Sequence, residues 1–149
     1  MRTFTPDICV IGAGSAGLSV AAGASQLGAE TVLIEHGAMG GDCLNRGCVP
    51  SKALLAAADR AEAARRAGAL GIGVGDVAVD FAAVQRHLRA VIAAIAPQDS
   101  AERYAGLGVR VLRATARFTG PAEVEADGIR IRARRFVVAT GSRPAVPPI

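Results

Sequence analysis

The chain has 149 residues, of which 51% are hydrophobic, 20% charged and 3% aromatic, and its formal net charge is +4. That length and apolar content suffice for one compact unit with a buried core, and no apolar run reaches the roughly 18 uninterrupted residues of a membrane span. The few aromatics do not interleave with the arginines, which excludes a base-stacking nucleic-acid surface, and the start at Met1–Asp7 lacks the pattern of an export signal.

Residues 7–35 read as one βαβ unit. An apolar strand is predicted at Ile8–Ile11, a glycine turn at Gly12–Gly17, a helix of small residues to about Leu27 with Gly28 as its cap, and a second strand at Thr31–Glu35. Cys9 sits inside the first apolar run, where a buried and inert thiol is expected.

The pattern Gly12-Ala-Gly14-Ser15-Ala16-Gly17 gains meaning from its setting, since it leaves a strand and opens a helix. Gly12 permits the tight turn, Gly14 lets a pyrophosphate approach the backbone, and Gly17 lets the helix pack on the strand. The phosphates would then face the positive end of the helix. Glu35 closes the second strand where a carboxylate can accept hydrogen bonds from the adenosine ribose and disfavour a 2′-phosphate.

A loop through Gly37, Gly40 and Gly41 leads to Cys43 and Cys48, ahead of a helix-favouring stretch at Ala53–Ala67 that Gly68 is expected to stop. On a regular helix five residues climb about 7.5 Å, more than the usual Cα separation of about 4.4–6.8 Å in a disulfide. A bridge between the two cysteines therefore needs a distorted turn. Gly47 supplies backbone freedom for it and Pro50 removes an amide donor. A helix start with Arg46 and Lys52 nearby is expected to favour thiolates over thiols. Lys52 is the single lysine among 17 basic residues. Three cysteines in all are too few for a disulfide scaffold or a four-ligand zinc site and point to a reducing compartment, the cytoplasm. Free structural thiols, or a metal site sharing His36, are the competing readings of the pair; no metal is expected.

Gly71–Val79 reads as irregular. Asp80 then caps a helix whose apolar face takes Phe81, Val84, Leu88, Val91, Ile92 and Ile95, and Pro97 ends it. A short helix at Ser100–Ala105 is followed by strands at Val109–Leu112 and Thr115–Phe118, a hairpin turning at Asp127–Gly128, and a last strand at Phe136–Thr140. The proline-rich tail Pro144–Ile149 reads as the start of a linker. The arginine run Arg130, Arg132, Arg134 and Arg135 reads as a solvated face.

Gly40-Gly-Asp-Cys43-Leu-Asn-Arg-Gly-Cys48-Val-Pro-Ser-Lys52 resembles the redox signature of the class I flavoprotein disulfide reductases, which include dihydrolipoamide dehydrogenase, glutathione reductase and mercuric reductase. Ile8–Glu35 resembles their FAD fingerprint, and Val138-Ala-Thr140-Gly141-Ser-Arg-Pro144 resembles their second flavin motif. The resemblance implies an α/β, Rossmann-like FAD-binding domain: a parallel sheet with helices and a small antiparallel β-meander. It implies FAD contacts at Gly12, Gly14, Ser15, Ala16, Gly17, Glu35, Gly41, Asp42, Lys52, Ala116, Thr140 and Gly141. By the same likeness Cys48 lies beside the flavin ring, Cys43 is the interchange thiol facing the substrate, and Lys52 lies near flavin N5. The implied activity passes electrons from NAD(P)H through FAD to a Cys43–Cys48 disulfide and on to a small-molecule disulfide or metal-ion substrate, in a homodimer.

Two departures stand out. Asp42 occupies a position where the family commonly has Thr, placing a carboxylate close to the pyrophosphate. The chain also stops at Ile149, before the nicotinamide and dimer-interface domains, so residues 1–149 are expected to be the amino-terminal part of the FAD domain and inactive alone. His87, on the helix of Phe81–Ala96 with no Glu at matching spacing, does not supply the family's His–Glu pair. The alternatives are an FAD- or NAD-binding module without disulfide chemistry and a small thiol redox sensor.

Overall fold

The computed structural model describes residues 2–142 and 145–149. Four parallel strands form the central sheet in the order β4-β3-β2-β8, with β2 at Ile8–Ile11, β3 at Thr31–Glu35, β4 at Arg110–Arg113 and β8 at Arg135–Val138. A second sheet, ordered β1-β7-β6-β5, combines the antiparallel meander β5 (Arg117–Gly120), β6 (Glu123–Ala126) and β7 (Ile129–Ile131) with β1 (Arg2–Phe4), which runs parallel to β7. The expected α/β architecture with its meander is therefore the observed one.

Side-chain alternation along β2 and β3 divides the core into two layers. Cys9, Val32 and Ile34 face the meander and pack with Val124, Ala126 and Ile131. Val10 and Leu33 face the other way, where Leu18 and Ala21 of α1 (Ser15–Gln26) and Tyr104 of α5 (Ala101–Gly106) cover them. All five residues of β3 are buried, as befits a strand covered on both faces. Burial without a partner pushes the Cys9 thiol up to about 12, so it stays neutral and unreactive at physiological pH, as its apolar setting foretold.

Local chemistry sets most boundaries. Asp127 and Gly128 both take positive φ and join β6 to β7 in a two-residue turn matched to strand twist. Gly28, with φ of 85°, donates its amide to the Ser25 carbonyl and closes α1. Asp80 caps α4 (Phe81–Ile95) by accepting from the Ala83 amide at 3.0 Å.

Several expected boundaries move. Gly68 does not stop the long helix α3 (Cys48–Arg66); it lies within a following 3-10 turn at Ala67–Leu70, and left-handed Gly71 ends that segment. Pro97 likewise sits in a 3-10 turn, Ala96–Asp99, which continues from α4. Strand β8 ends at Val138, so Ala139 and Thr140 belong to the loop beyond it. The α4 face predicted as core is only partly covered: Leu88 is buried, but Phe81 is 59% exposed, because the neighbour of α4 is α3 rather than a sheet. The tail expectation at Pro144 and the end of the second flavin motif, Arg143-Pro144, lie outside the described residues. Among the described residues no helix is long and apolar enough to cross a membrane.

Candidate functional site

Parallel α/β sheets open a crevice at the carboxyl ends of their strands, where helix amino termini and loops converge. Here that crevice is a cavity of about 640 Å³ beyond the ends of β2, β3 and β8. Gly12, Gly14, Ser15, Ala16, Glu35, Gly41, Asp42, Cys43, Ala116, Thr140 and Gly141 all line it, so residues from four separate predicted segments meet in one place.

The glycine loop is shaped by close approach. Gly12 has φ of 105°, and a side chain there would run into the Ala139 carbonyl. Gly17 lies beneath the loop rather than in the cavity wall, and a Cβ on it would collide with the Gly12 carbonyl oxygen. Gly41, with φ of 58°, lies so near Gly14 that a Cβ would meet the Gly14 Cα at 2.6 Å. The Gly40 amide also donates to the Ala13 carbonyl at 2.9 Å, fastening the cysteine segment to the glycine loop. At the start of α1 there is no side-chain cap and no acid in the first turn. Its amides are therefore left for a ligand to satisfy, and an anion suits them.

Glu35 is 8% exposed, and its carboxylate is already engaged. Oε2 accepts from the Ala13 amide at 2.6 Å and Oε1 from the Gly37 amide at 2.6 Å, with His36 Nδ1 at 3.4 Å from Oε1. The residue selected by sequence for a ribose thus also ties the glycine loop to the turn after β3. Its remaining lone pairs leave room for ligand hydroxyls. Glu35→Ala is expected to lower stability by about 3 kcal/mol, because two amides lose a charged acceptor, with Glu35→Gln falling between. Urea unfolding measures this; an unchanged midpoint would mean water replaces the carboxylate without cost.

The cysteine segment breaks into two helices, α2 (Gly41–Asn45) and α3, separated by Arg46 and Gly47. This is the distorted turn that the spacing demanded. The Asp42 carbonyl accepts from both the Arg46 amide at 2.8 Å and the Gly47 amide at 2.6 Å, and a Cβ on Gly47 would sit 3.0 Å from that oxygen. Pro50 contributes nothing to the break: it lies in the first turn of α3, where its amide would have had no helical partner.

As a result Cys43, half-buried, and Cys48, exposed, are free thiols in hydrogen-bond contact. That bond, then burial and the neighbouring Cys48 charge, hold the Cys43 thiol above the ordinary thiol range, and Lys52 opposes them without prevailing. The expectation that the helix start and cations favour a thiolate is therefore corrected at Cys43.

Lys52 is exposed on α3 near Cys43, and neither it nor Cys48 lines the cavity. The cavity also gathers residues that were not expected as cofactor contacts, among them His36, Asn45, Arg46, Ala114 and Ser142. Asn45 had a readable signal: it lies between the cysteines, and its side-chain amide donates to the Met39 and Gly41 carbonyls at 3.0 and 2.8 Å, bracing the glycine pair. Ala114 had none, because small apolar residues carry no chemistry of their own.

Comparison with known proteins follows the same outline. The chain is 32% identical over 143 residues to a mercuric reductase of Lysinibacillus sphaericus, a match covering 96% of this chain and 26% of that protein. It is 36% identical over 153 residues to dihydrolipoyl dehydrogenase 2 of Haloarcula marismortui, covering 98% and 32%. The fold matches that of the HOCl-induced flavoprotein disulfide reductase RclA from Escherichia coli, solved as a Cu(II) complex, with a TM-score of 0.74, 23% identity, and 95% and 29% of the two chains covered. The chain thus spans between about a quarter and a third of the length of these relatives. Residues 6–149 match a family model described as pyridine nucleotide-disulphide oxidoreductase, and with a glycine-lined crevice and a contacting thiol pair at its rim, the chain belongs to that family.

Proposed function

We propose that this chain forms the amino-terminal part of the FAD domain of an NAD(P)H-dependent disulfide oxidoreductase. The observation that carries the reading is the contact between Cys43 and Cys48 at the rim of a cavity shaped by Gly12, Gly14 and Gly41. The uncapped start of α1 and the close Gly14–Gly41 approach fit a dinucleotide's diphosphate, and Glu35 fits its ribose. Ala116, Thr140 and Gly141 also line the cavity. FAD, when bound, supplies two-electron transfer between a nicotinamide and a disulfide.

The chain's own part is thiol exchange. Cys43, once deprotonated, attacks one sulfur of a substrate disulfide and releases the other as a thiolate. Cys48 then attacks the Cys43 sulfur of the mixed disulfide, freeing the second substrate thiol and leaving a Cys43–Cys48 disulfide. The dithiol supplies two electrons and two protons per substrate bond broken. Lys52 stabilises negative charge beside the pair. A small-molecule disulfide fits this exchange as substrate, and its reverse fits a dithiol such as the dihydrolipoyl group in one relative's name; the mercuric ion in the other's name is a second candidate, as a metal that thiols bind. A dinucleotide module without thiol chemistry gives the cysteine contact no task.

Flavin titration combined with thiol counting tests the reading. The intact protein carrying this chain is expected to bind FAD at one per chain, with Cys43 and Cys48 reactive when reduced and silent when oxidised, and Cys9 silent until denaturation. Absence of flavin binding, or two thiols persisting after mild oxidation, would reject it.

A further inference from the structure

Two opposite charges on the cavity wall have no task in the thiol chemistry. Asp42 and Arg46 lie four residues apart, at the start and end of the short helix α2, and both line the cavity. Both are exposed, and among the described residues neither side chain has a hydrogen-bond or ion-pair partner. Only their backbones are joined, through the Arg46 amide and the Asp42 carbonyl.

An exposed arginine usually reads as solvated, but three observations assign this one to the cavity. Among the described lining residues Arg46 is the only Arg or Lys, Lys52 lying outside. The nearby carboxylates, Glu35 and Asp42, are negative, and Glu35 is already committed to the Ala13 and Gly37 amides. The amides at the start of α1 offer partial charges only, equivalent to roughly half an elementary charge. A diphosphate entering this cavity therefore meets one full positive charge, on a planar guanidinium suited to bidentate phosphate contact. The side chain has nothing to release first. Asp42, beside Gly41 of the close Gly14–Gly41 pair, would oppose the same ligand.

We propose that Arg46 is the counter-charge for the dinucleotide's phosphates and that Asp42 opposes it, so the two side chains together set how tightly the cavity holds its cofactor. The proposal rests on the FAD reading above. It names residues outside the glycine fingerprint as determinants of affinity, and it explains how a carboxylate is tolerated beside the phosphate site.

The test is FAD titration of the apoprotein, followed by flavin fluorescence, over a range of salt concentrations. Arg46→Gln is expected to raise the dissociation constant about tenfold and to flatten its salt dependence, and Arg46→Lys to recover part of the loss. Asp42→Asn is expected to tighten binding severalfold. Wild-type binding with a salt-independent affinity, or equal binding by wild type and Arg46→Gln, overturns the role of Arg46 while the FAD reading stands. Unchanged or weaker binding by Asp42→Asn overturns the opposing role of Asp42. Failure of the wild type to bind FAD removes the FAD reading and this inference with it. Because the salt dependence is read on the wild type, a poorly folding variant does not shield the proposal.

Discussion

In the intact enzyme of which this chain is proposed to form part, Cys48→Ser is expected to lose disulfide reduction by on the order of 10³-fold or more, with the fold intact. The exchange needs a second thiol to resolve the mixed disulfide, and Cys48 is the thiol in contact with Cys43. A serine hydroxyl keeps the size of the side chain but cannot form the bond, and Cys48 is exposed, so the core is untouched. Cys43→Ser is expected to be equally inactive but different in kind. If Cys48 is the thiol beside the flavin, as the resemblance implies, Cys43→Ser should retain a long-wavelength flavin–thiolate absorbance that Cys48→Ser loses. Steady-state reduction of a small disulfide, read beside visible spectra of the flavin-loaded protein, separates the two. In the wild type the Cys43 thiol is raised above its ordinary range, so its nucleophilic form grows as pH rises, and single-turnover exchange should accelerate towards alkaline pH. Full activity of the Cys48→Ser protein would end the proposed thiol path.

The second large effect concerns a residue that touches neither cavity nor sulfur. Gly17→Ala is expected to cost about 3 kcal/mol of stability and to abolish flavin binding. The added Cβ would run into the Gly12 carbonyl and press on Val10 Cγ1, 3.3 Å away. Backbone cannot yield as a side-chain tip does, so α1 must move off β2, and the loop between them is the one that faces the phosphates. Gly23 is the control. It lies in the same helix with nothing within 4 Å of its Cβ position, so Gly23→Ala should be neutral or stabilising by up to about 1 kcal/mol. Urea unfolding of both variants decides the matter; equal midpoints would show that the packing of α1 on β2 tolerates a methyl group.

How far the site was legible depended on whether a residue's task is local. The glycine fingerprint, Glu35 and the cysteine spacing were readable because each demands a particular residue type at a fixed offset: a turn, a strand end, a broken helix. Lys52 was readable as an isolated cation, yet it lies outside the cavity beside Cys43, because α3 leaves the crevice at its first turn. Glu35 was found, but its grip on the Ala13 and Gly37 amides was not, since those bonds exist only when the glycine loop and the turn after β3 are side by side. Arg46 was readable only as a cation near the thiols, and its place on the cavity wall was not.

From sequence alone came the βαβ opening, the two-residue turn at Asp127–Gly128, the caps at Gly28 and Asp80, and the need for a break between Cys43 and Cys48. Each of these is a constraint on a few adjacent residues and follows from backbone sterics and helix geometry. Tertiary structure alone decided that Arg2–Phe4 is a strand, since its partner β7 lies far along the chain, and that Phe81 stays exposed for want of a covering sheet. It also raised the Cys43 thiol, contrary to the local reading, because a contact with Cys48 outweighs the lysine charge beside it. A hydrogen bond acts at one distance and in one direction, and only the folded chain sets both.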